Sequence, residues 1–157
     1  MKINQARCEG MKINKTHPNP TLQDLEEIAI NEYNVTGVIY TPLAWKQASA
    51  VTRVDGKRFI FYHDYGSIYT PIALAHEIGH LAVGHHDGYT PNILVKELEA
   101  DSFAAGLLDM PLRRLYRIMI SEGWERFKEL VNNPDKYKNP NSKEIQRLKD
   151  MGVYWLL

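Results

Sequence analysis

The chain has a single cysteine, Cys8, among its 157 residues, so it cannot form an intramolecular disulfide. A lack of disulfides is typical of proteins in a reducing cytosol. Residues 1–10 lack the apolar core of a secretory signal peptide. Apolar runs such as Ile72 to Ala75 are far too short to span a bilayer. These absences predict a cytoplasmic protein without a membrane segment.

The chain also has no excess of either charge, since Lys and Arg total 19 and Asp and Glu total 19. Proteins that bind nucleic acid through its phosphates usually carry a net basic surface. The composition therefore predicts no direct binding to nucleic acid. Hydrophobic residues make up 44% and charged residues 24%, which is typical of a globular domain. The length corresponds to one such domain.

The chain is expected to divide into three parts. Residues 1–20 read as an irregular lead-in that ends at Thr21, the predicted N-cap of a helix running to Tyr33. Residues 21–131 contain the strongly periodic segments and form the body of the domain. Residues 132–157 are expected to be a loop followed by a C-terminal helix that packs on the same domain.

The clearest strand signal lies between residues 50 and 62. Two β-prone runs, 50–54 and 57–62, flank Asp55-Gly56, which favours a two-residue type I′ turn because both positions tolerate positive φ. Residues 38–40 form a third short strand candidate, and residues 41–48 a brief helix. We expect a small antiparallel sheet. Its edge near residues 58–62 is either a purely structural hairpin or a place where an extended substrate pairs.

Helices are expected to dominate the rest of the chain. Thr70-Pro71 predicts an N-cap followed by proline at the first helical position. Further helices are predicted over 91–109, 112–120 and 124–131, with the arginines of the second facing outward. The predicted fold class is α+β: a mostly helical single domain with a small antiparallel sheet packed beside the helix that starts at Thr70.

The most informative segment is His76-Glu77-Ile78-Gly79-His80. On a helix, residues four apart share a face, so both imidazoles can chelate one Zn²⁺ while Glu77 accepts a proton from the zinc-bound water. The bare pattern also occurs on ordinary helix surfaces. Its helix is apolar on the other faces, however, and buried polar side chains need partners such as a metal. Gly79 lowers helix propensity, so we expect it to permit a close packing contact.

A third zinc ligand is expected from the following helix. Glu97 and Asp101 are four residues apart and share a face, whereas Glu99 points elsewhere. We predict Glu97 as the ligand and Asp101 as the acceptor of a hydrogen bond from a ligand imidazole. The small Ala100 and Ala104 would let the two helices approach closely. The alternative is that the three acids form a solvated face.

Two segments, Ala75–Leu81 and Glu97–Pro111, resemble the two signatures of the ImmA/IrrE family of zinc metallopeptidases. The resemblance covers about residues 21–111. Two features depart from the usual pattern: Gly106 stands where many relatives have Glu, and the entry to the His helix lacks their basic or aromatic start.

The resemblance implies a zinc endopeptidase of the minimal, gluzincin-like zincin type, with residues 21–131 as the metallopeptidase domain. His76, His80 and Glu97 would be the zinc ligands and Glu77 the catalytic base. The implied substrate is a helix-turn-helix repressor of a mobile element, phage or stress regulon. The alternative is a zinc-containing regulator that binds a repressor or antitoxin without cleaving it.

The remaining histidines are expected to lie outside the site. Continued helical rotation would carry His85 away from the face of the pair, so His85 and His86 are interpreted as loop or helix-end residues. His17 and His63 are expected on the surface. Three tyrosines could donate a hydrogen bond to a developing oxyanion, with no preference among them: Tyr65, Tyr69 and Tyr89.

Overall fold

The computed structural model describes residues 20–41, 48–65, 69–121 and the single residue 146. These residues form a small α+β domain with four helices and a three-stranded sheet, which confirms the α+β class. Predictions for the lead-in, for the brief helix around 42–47 and for nearly all residues after 121 lie outside the described residues.

The first helix, α1 (Leu22–Glu32), begins where the sequence predicts it. The hydroxyl of Thr21 accepts a hydrogen bond from the backbone N–H of Asp24 at 3.1 Å. The carboxylate of Asp24 accepts one from the backbone N–H of Thr21 at 2.8 Å. This reciprocal capping box satisfies two backbone donors that a helix start would otherwise leave unpaired.

The sheet is mixed, so the predicted all-antiparallel arrangement is wrong. β2 (Ser49–Thr52) and β3 (Arg58–Tyr62) are antiparallel, but β1 (Gly37–Tyr40) pairs with β3 in parallel. The order is β1-β3-β2, so β3 is central and both its sides are occupied. Residues 58–62 therefore offer no free edge to a substrate.

The hairpin turn differs from the predicted type I′. Gly56 has φ of +80°, whereas Asp55 is not among the residues with positive φ. The backbone N–H of Gly56 donates to the carbonyl of Arg53, and that of Arg53 donates to the carbonyl of Lys57. The loop is thus one residue longer than predicted, and only Gly56 needs the left-handed conformation.

The second helix, α2 (Tyr69–Val83), carries the histidine motif and is almost wholly buried, as its apolar faces predict. Of its fifteen residues, only Pro71 and Ala82 are partly exposed. Thr70 lies inside this helix rather than at its N-cap. Its hydroxyl accepts a hydrogen bond from the backbone N–H of Tyr65 at 2.9 Å and donates to Asp64 at 3.3 Å.

Two further helices complete the described structure. α3 (Ile93–Leu107) packs closely along α2, with Ala100 against Gly79. Asp109 has φ of +55°, and α4 (Leu112–Ser121) begins after it. The helical structure is therefore interrupted near Met110-Pro111, as predicted. The three arginines of α4 are exposed, also as predicted: Arg113, Arg114 and Arg117.

The core lies between α2, α3 and the inner face of the sheet. Leu25 of α1, Ile60 of β3, Leu74 of α2 and Leu98 of α3 are essentially inaccessible to solvent. Within the described ranges, no helix combines the length and apolar character needed to cross a bilayer.

Candidate metal centre

His76 and His80 project from one face of α2 towards α3. Their Nε2 atoms lie 2.9 Å apart, and their rings are nearly perpendicular, with an interplanar angle of 89°. Both side chains are buried. The helical spacing of four residues brings the two imidazoles together, as predicted, with the same ring nitrogen of each aimed at a common point.

Glu97 of α3 faces the same point. Its Oε2 lies 3.1 Å from Nε2 of His76, and its Oε1 lies 3.6 Å from Nε2 of His80. With zinc–ligand bonds of about 2.1 Å in a tetrahedron, neighbouring ligand atoms would be about 3.4 Å apart. The observed separations of 2.9, 3.1 and 3.6 Å lie on either side of this value. The donor types and their spacing therefore fit a zinc ion.

Glu77 lies in the same buried cluster. His76, Glu77 and His80 each offer one potential ligand atom, and these atoms are within 4.8 Å of one another. Glu77 is only 8% exposed. A metal held by the imidazoles would thus have the Glu77 carboxylate close by.

Asp101 supports His76 from the side opposite the cluster. Its Oδ1 lies 2.6 Å from Nδ1 of His76, and its Oδ2 accepts a hydrogen bond from the hydroxyl of Tyr116 at 3.2 Å. The structure thus brings Asp101 to a motif imidazole, as the spacing predicts. A proton held on Nδ1 by this carboxylate leaves Nε2 of His76 available as a ligand.

His85 supports His80 in a similar position, contrary to the prediction that it points away from the site. Its Nδ1 lies 2.9 Å from Nδ1 of His80, and its Nε2 lies 3.1 Å from Oε2 of Glu99. Continued helical rotation does not apply here, because α2 ends at Val83 and Gly84 reverses the chain with φ of +92°.

The signal that could have located His85 is Gly84. The backbone N–H of Gly84 donates to the carbonyl of Leu81, and that of His85 donates to the carbonyl of His80. These two bonds define a Schellman motif, in which the residue after the glycine packs against the residue five positions before it. A glycine at the end of the periodic pattern therefore predicts that His85 meets His80.

The alternative of a solvated acidic face on α3 is wrong. Glu99 is 1% exposed and Asp101 is fully buried. Glu99 also accepts a hydrogen bond from the hydroxyl of Tyr89 at 2.8 Å. Of the three acids, Glu97 keeps the most exposure, with 22% of its side chain accessible.

His80 is held in its neutral form. Burial, with a smaller contribution from the neighbouring His76, lowers its pKa to about 2, whereas the charge of Glu97 opposes the shift. A neutral imidazole is the form that binds a metal. The site therefore presents His80 ready to ligate across the physiological pH range.

Of the remaining histidines, His63 departs from its prediction, whereas His86 lies outside the cluster as predicted. His63 is buried rather than on the surface, and its ring lies against that of Tyr65 with centroids 3.6 Å apart. His86 lies outside the cluster, with Nδ1 3.2 Å from the hydroxyl of Thr52. His17 lies outside the described residues.

Tyr65 shares the electrostatic environment of the cluster. Burial raises the pKa of Tyr65, and the charge of Glu77 raises it as well, against a lowering by a backbone hydrogen bond from Ala48. The hydroxyl of Tyr69 donates a hydrogen bond to the carbonyl of Ile118. Tyr89 belongs to the supporting contacts of Glu99.

No protein-family model, curated protein or solved structure matches this chain. The family suggested by the two signatures thus stays a prediction.

Proposed function

We propose that this protein is a zinc-dependent endopeptidase of the minimal, gluzincin-like zincin type. His76, His80 and Glu97 would hold the zinc, and Glu77 would be the catalytic base. One observation carries the proposal: two imidazole Nε2 atoms and the Glu97 carboxylate converge on one point, at separations of 2.9, 3.1 and 3.6 Å. Buried polar groups so arranged, without a cation between them, would be costly.

Several side chains of the protein would each have a separate role in peptide hydrolysis. Zinc at this site would lower the pKa of a water molecule and polarise the scissile carbonyl. Glu77 would accept the proton of the attacking water and pass it to the leaving nitrogen. Asp101 would keep the proton of His76 on Nδ1, 2.6 Å away. A hydrogen-bond donor of the protein would stabilise the charge on the polarised carbonyl. Tyr65 is one candidate, because burial and the charge of Glu77 raise its pKa.

The proposed substrate is a helix-turn-helix transcriptional repressor in the cytoplasm. This part rests on the resemblance of Ala75–Leu81 and Glu97–Pro111 to the ImmA/IrrE signatures. An extended stretch of such a substrate would have to pair with β1 or β2, the outer strands of the described sheet, since β3 is occupied on both sides.

The second candidate function is a zinc-containing regulator that binds a repressor or antitoxin without cleaving it. The same ligand geometry would serve a structural metal site. Glu77 distinguishes the two, because a structural site has no need of a buried carboxylate beside the ligand pair. Its position within 4.8 Å of the ligand atoms favours the enzyme.

The test incubates a purified candidate helix-turn-helix repressor with wild type or with Glu77→Gln. Mass spectrometry of the incubated repressor should show two fragments with wild type and none with Glu77→Gln, although both bind one zinc. Glu27→Gln, a surface change on α1, should cleave like wild type. If repressor activity falls equally with wild type and Glu77→Gln and no fragment forms, the binding function stands and the peptidase is excluded.

A further inference from the structure

We infer that His85 is a positioning residue for the metal ligand His80. Together with Glu99 and Tyr89 it forms a buried hydrogen-bonded arm, which we call the His85 arm, on the side of His80 away from the ligand cluster. The inference rests on the metal-binding part of the proposed function and does not require peptidase activity.

The proton positions in the His85 arm follow from its distances. Nε2 of His80 faces His76 and Glu97 and must be unprotonated to ligate, so the proton of His80 lies on Nδ1. Nδ1 of His85, 2.9 Å away, must therefore accept that hydrogen bond. His85 then carries its own proton on Nε2.

Glu99 completes the arm. The Nε2–H of His85 donates to Oε2 of Glu99 across 3.1 Å, and the hydroxyl of Tyr89 donates to Oε1 across 2.8 Å. Every donor meets an acceptor, and the arm ends on a carboxylate that is 1% exposed. A carboxylate buried this deeply is stable only with such donors, so it biases His85 strongly towards the Nε2–H form.

The ring of His85 is also fixed in orientation. It stacks on the ring of Tyr89 with centroids 5.5 Å apart and an interplanar angle of 20°. The Schellman motif at Gly84 holds its backbone, through the bond from the His85 N–H to the His80 carbonyl. His80 is consequently constrained at Nδ1 by a partner that itself has little freedom.

The arm parallels the support of the other imidazole. The carboxylate of Asp101 accepts a hydrogen bond directly from His76 and another from the hydroxyl of Tyr116. Each ligand histidine is thus supported, directly or through His85, by a buried carboxylate that also accepts a hydrogen bond from a tyrosine hydroxyl. The carboxylate of Glu99 lies farther from His80, and the ring of His85 bridges the two. Such outer contacts orient the imidazole and raise its basicity towards the metal.

The test measures zinc affinity by competition with a chelator for wild type and four variants. His85→Ala should bind zinc about 10- to 100-fold more weakly than wild type. His85→Asn places an amide oxygen where Nδ1 stood and should recover most of this loss. His85→Gln places its amide group near the Nε2 position instead and should remain weak. His86→Ala, the neighbouring histidine bonded to Thr52, should bind like wild type.

Thermal unfolding of the metal-free proteins separates positioning from general damage. Recovery of zinc affinity by Asn but not by Gln, at similar unfolding temperatures, supports the inference. It is overturned if His85→Ala binds zinc as tightly as wild type, or if the three variants lose affinity only in proportion to their lost stability. A wild type that binds no zinc would contradict the proposed function itself, and with it this inference.

Discussion

The backbone of Gly79 lies directly against the backbone of Ala100. A Cβ atom at position 79 would be 2.6 Å from the carbonyl oxygen of Ala100 and 3.0 Å from its Cα. Gly79 sits between the motif residues of α2, and Ala100 sits between Glu97 and Asp101 of α3. The close approach of the two helices therefore sets the distance between the candidate metal ligands of α2 and the candidate ligand of α3.

We expect Gly79→Ala to destabilise the protein by roughly 1–3 kcal/mol, because the added methyl group meets backbone that cannot move aside. This would outweigh the gain of about 1 kcal/mol in helix propensity. Gly106→Ala is the matched control, since nothing lies within 4 Å of its Cβ position and residue 106 is exposed in α3. It should stabilise by about 0.5–1 kcal/mol. Urea unfolding of both variants checks this, and equal effects would contradict the close contact.

Glu97→Ala should abolish stoichiometric zinc binding, because it removes the oxygens that lie 3.1 and 3.6 Å from the two imidazole nitrogens. Glu99→Ala should weaken binding less, since Glu99 reaches His80 only through His85. Metal content after dialysis at fixed free zinc measures both. If Glu99→Ala loses zinc while Glu97→Ala retains it, the ligand assignment is wrong.

Asp101→Asn should lower zinc affinity by at least about tenfold while preserving side-chain volume. The negative charge that polarises His76 from 2.6 Å is removed. The same substitution at the exposed Asp109, just beyond the end of α3, is the control and should leave zinc affinity unchanged. Isothermal titration with zinc compares the two, and an unaltered affinity in Asp101→Asn would contradict the role of the carboxylate.

The metal-free protein should lose stability as the pH falls below 6.5. Unfolded His80 takes up a proton near its ordinary pKa of 6.5, whereas burial keeps the folded side chain neutral down to about 2. The unfolded state therefore binds the extra proton, and His80 contributes a slope of about 1.4 kcal/mol per pH unit in this range. His80→Gln should show a shallower slope in urea unfolding between pH 6.5 and 5. Equal slopes would mean that His80 is protonated in the folded protein.

Elements with a strong local signal could be predicted from the sequence. Thr21 with Asp24 supplied the capping box that begins α1, and the apolar faces around the motif predicted a buried α2. Helical spacing places His76 and His80 on one face of α2, and Glu97 and Asp101 on one face of α3. The approach of these two faces depends in addition on the packing of Ala100 against Gly79.

What the sequence did not predict depends on contacts between distant segments or on single backbone angles. The parallel pairing of β1 with β3 has no local signature in a four-residue strand. Asp55 tolerates positive φ but does not adopt it, which lengthens the hairpin loop by one residue. The place of His85 depends on one reversal at Gly84, which a helical projection ignores.

Native mass spectrometry of the purified protein tests the central claim most directly, namely that the donors converging between α2 and α3 hold one zinc ion. Wild type and Glu77→Gln should each carry one zinc per chain, and His76→Ala, His80→Ala and Glu97→Ala should carry none at the same free zinc concentration. A wild type without zinc, or with zinc that all three ligand variants retain, would contradict the account.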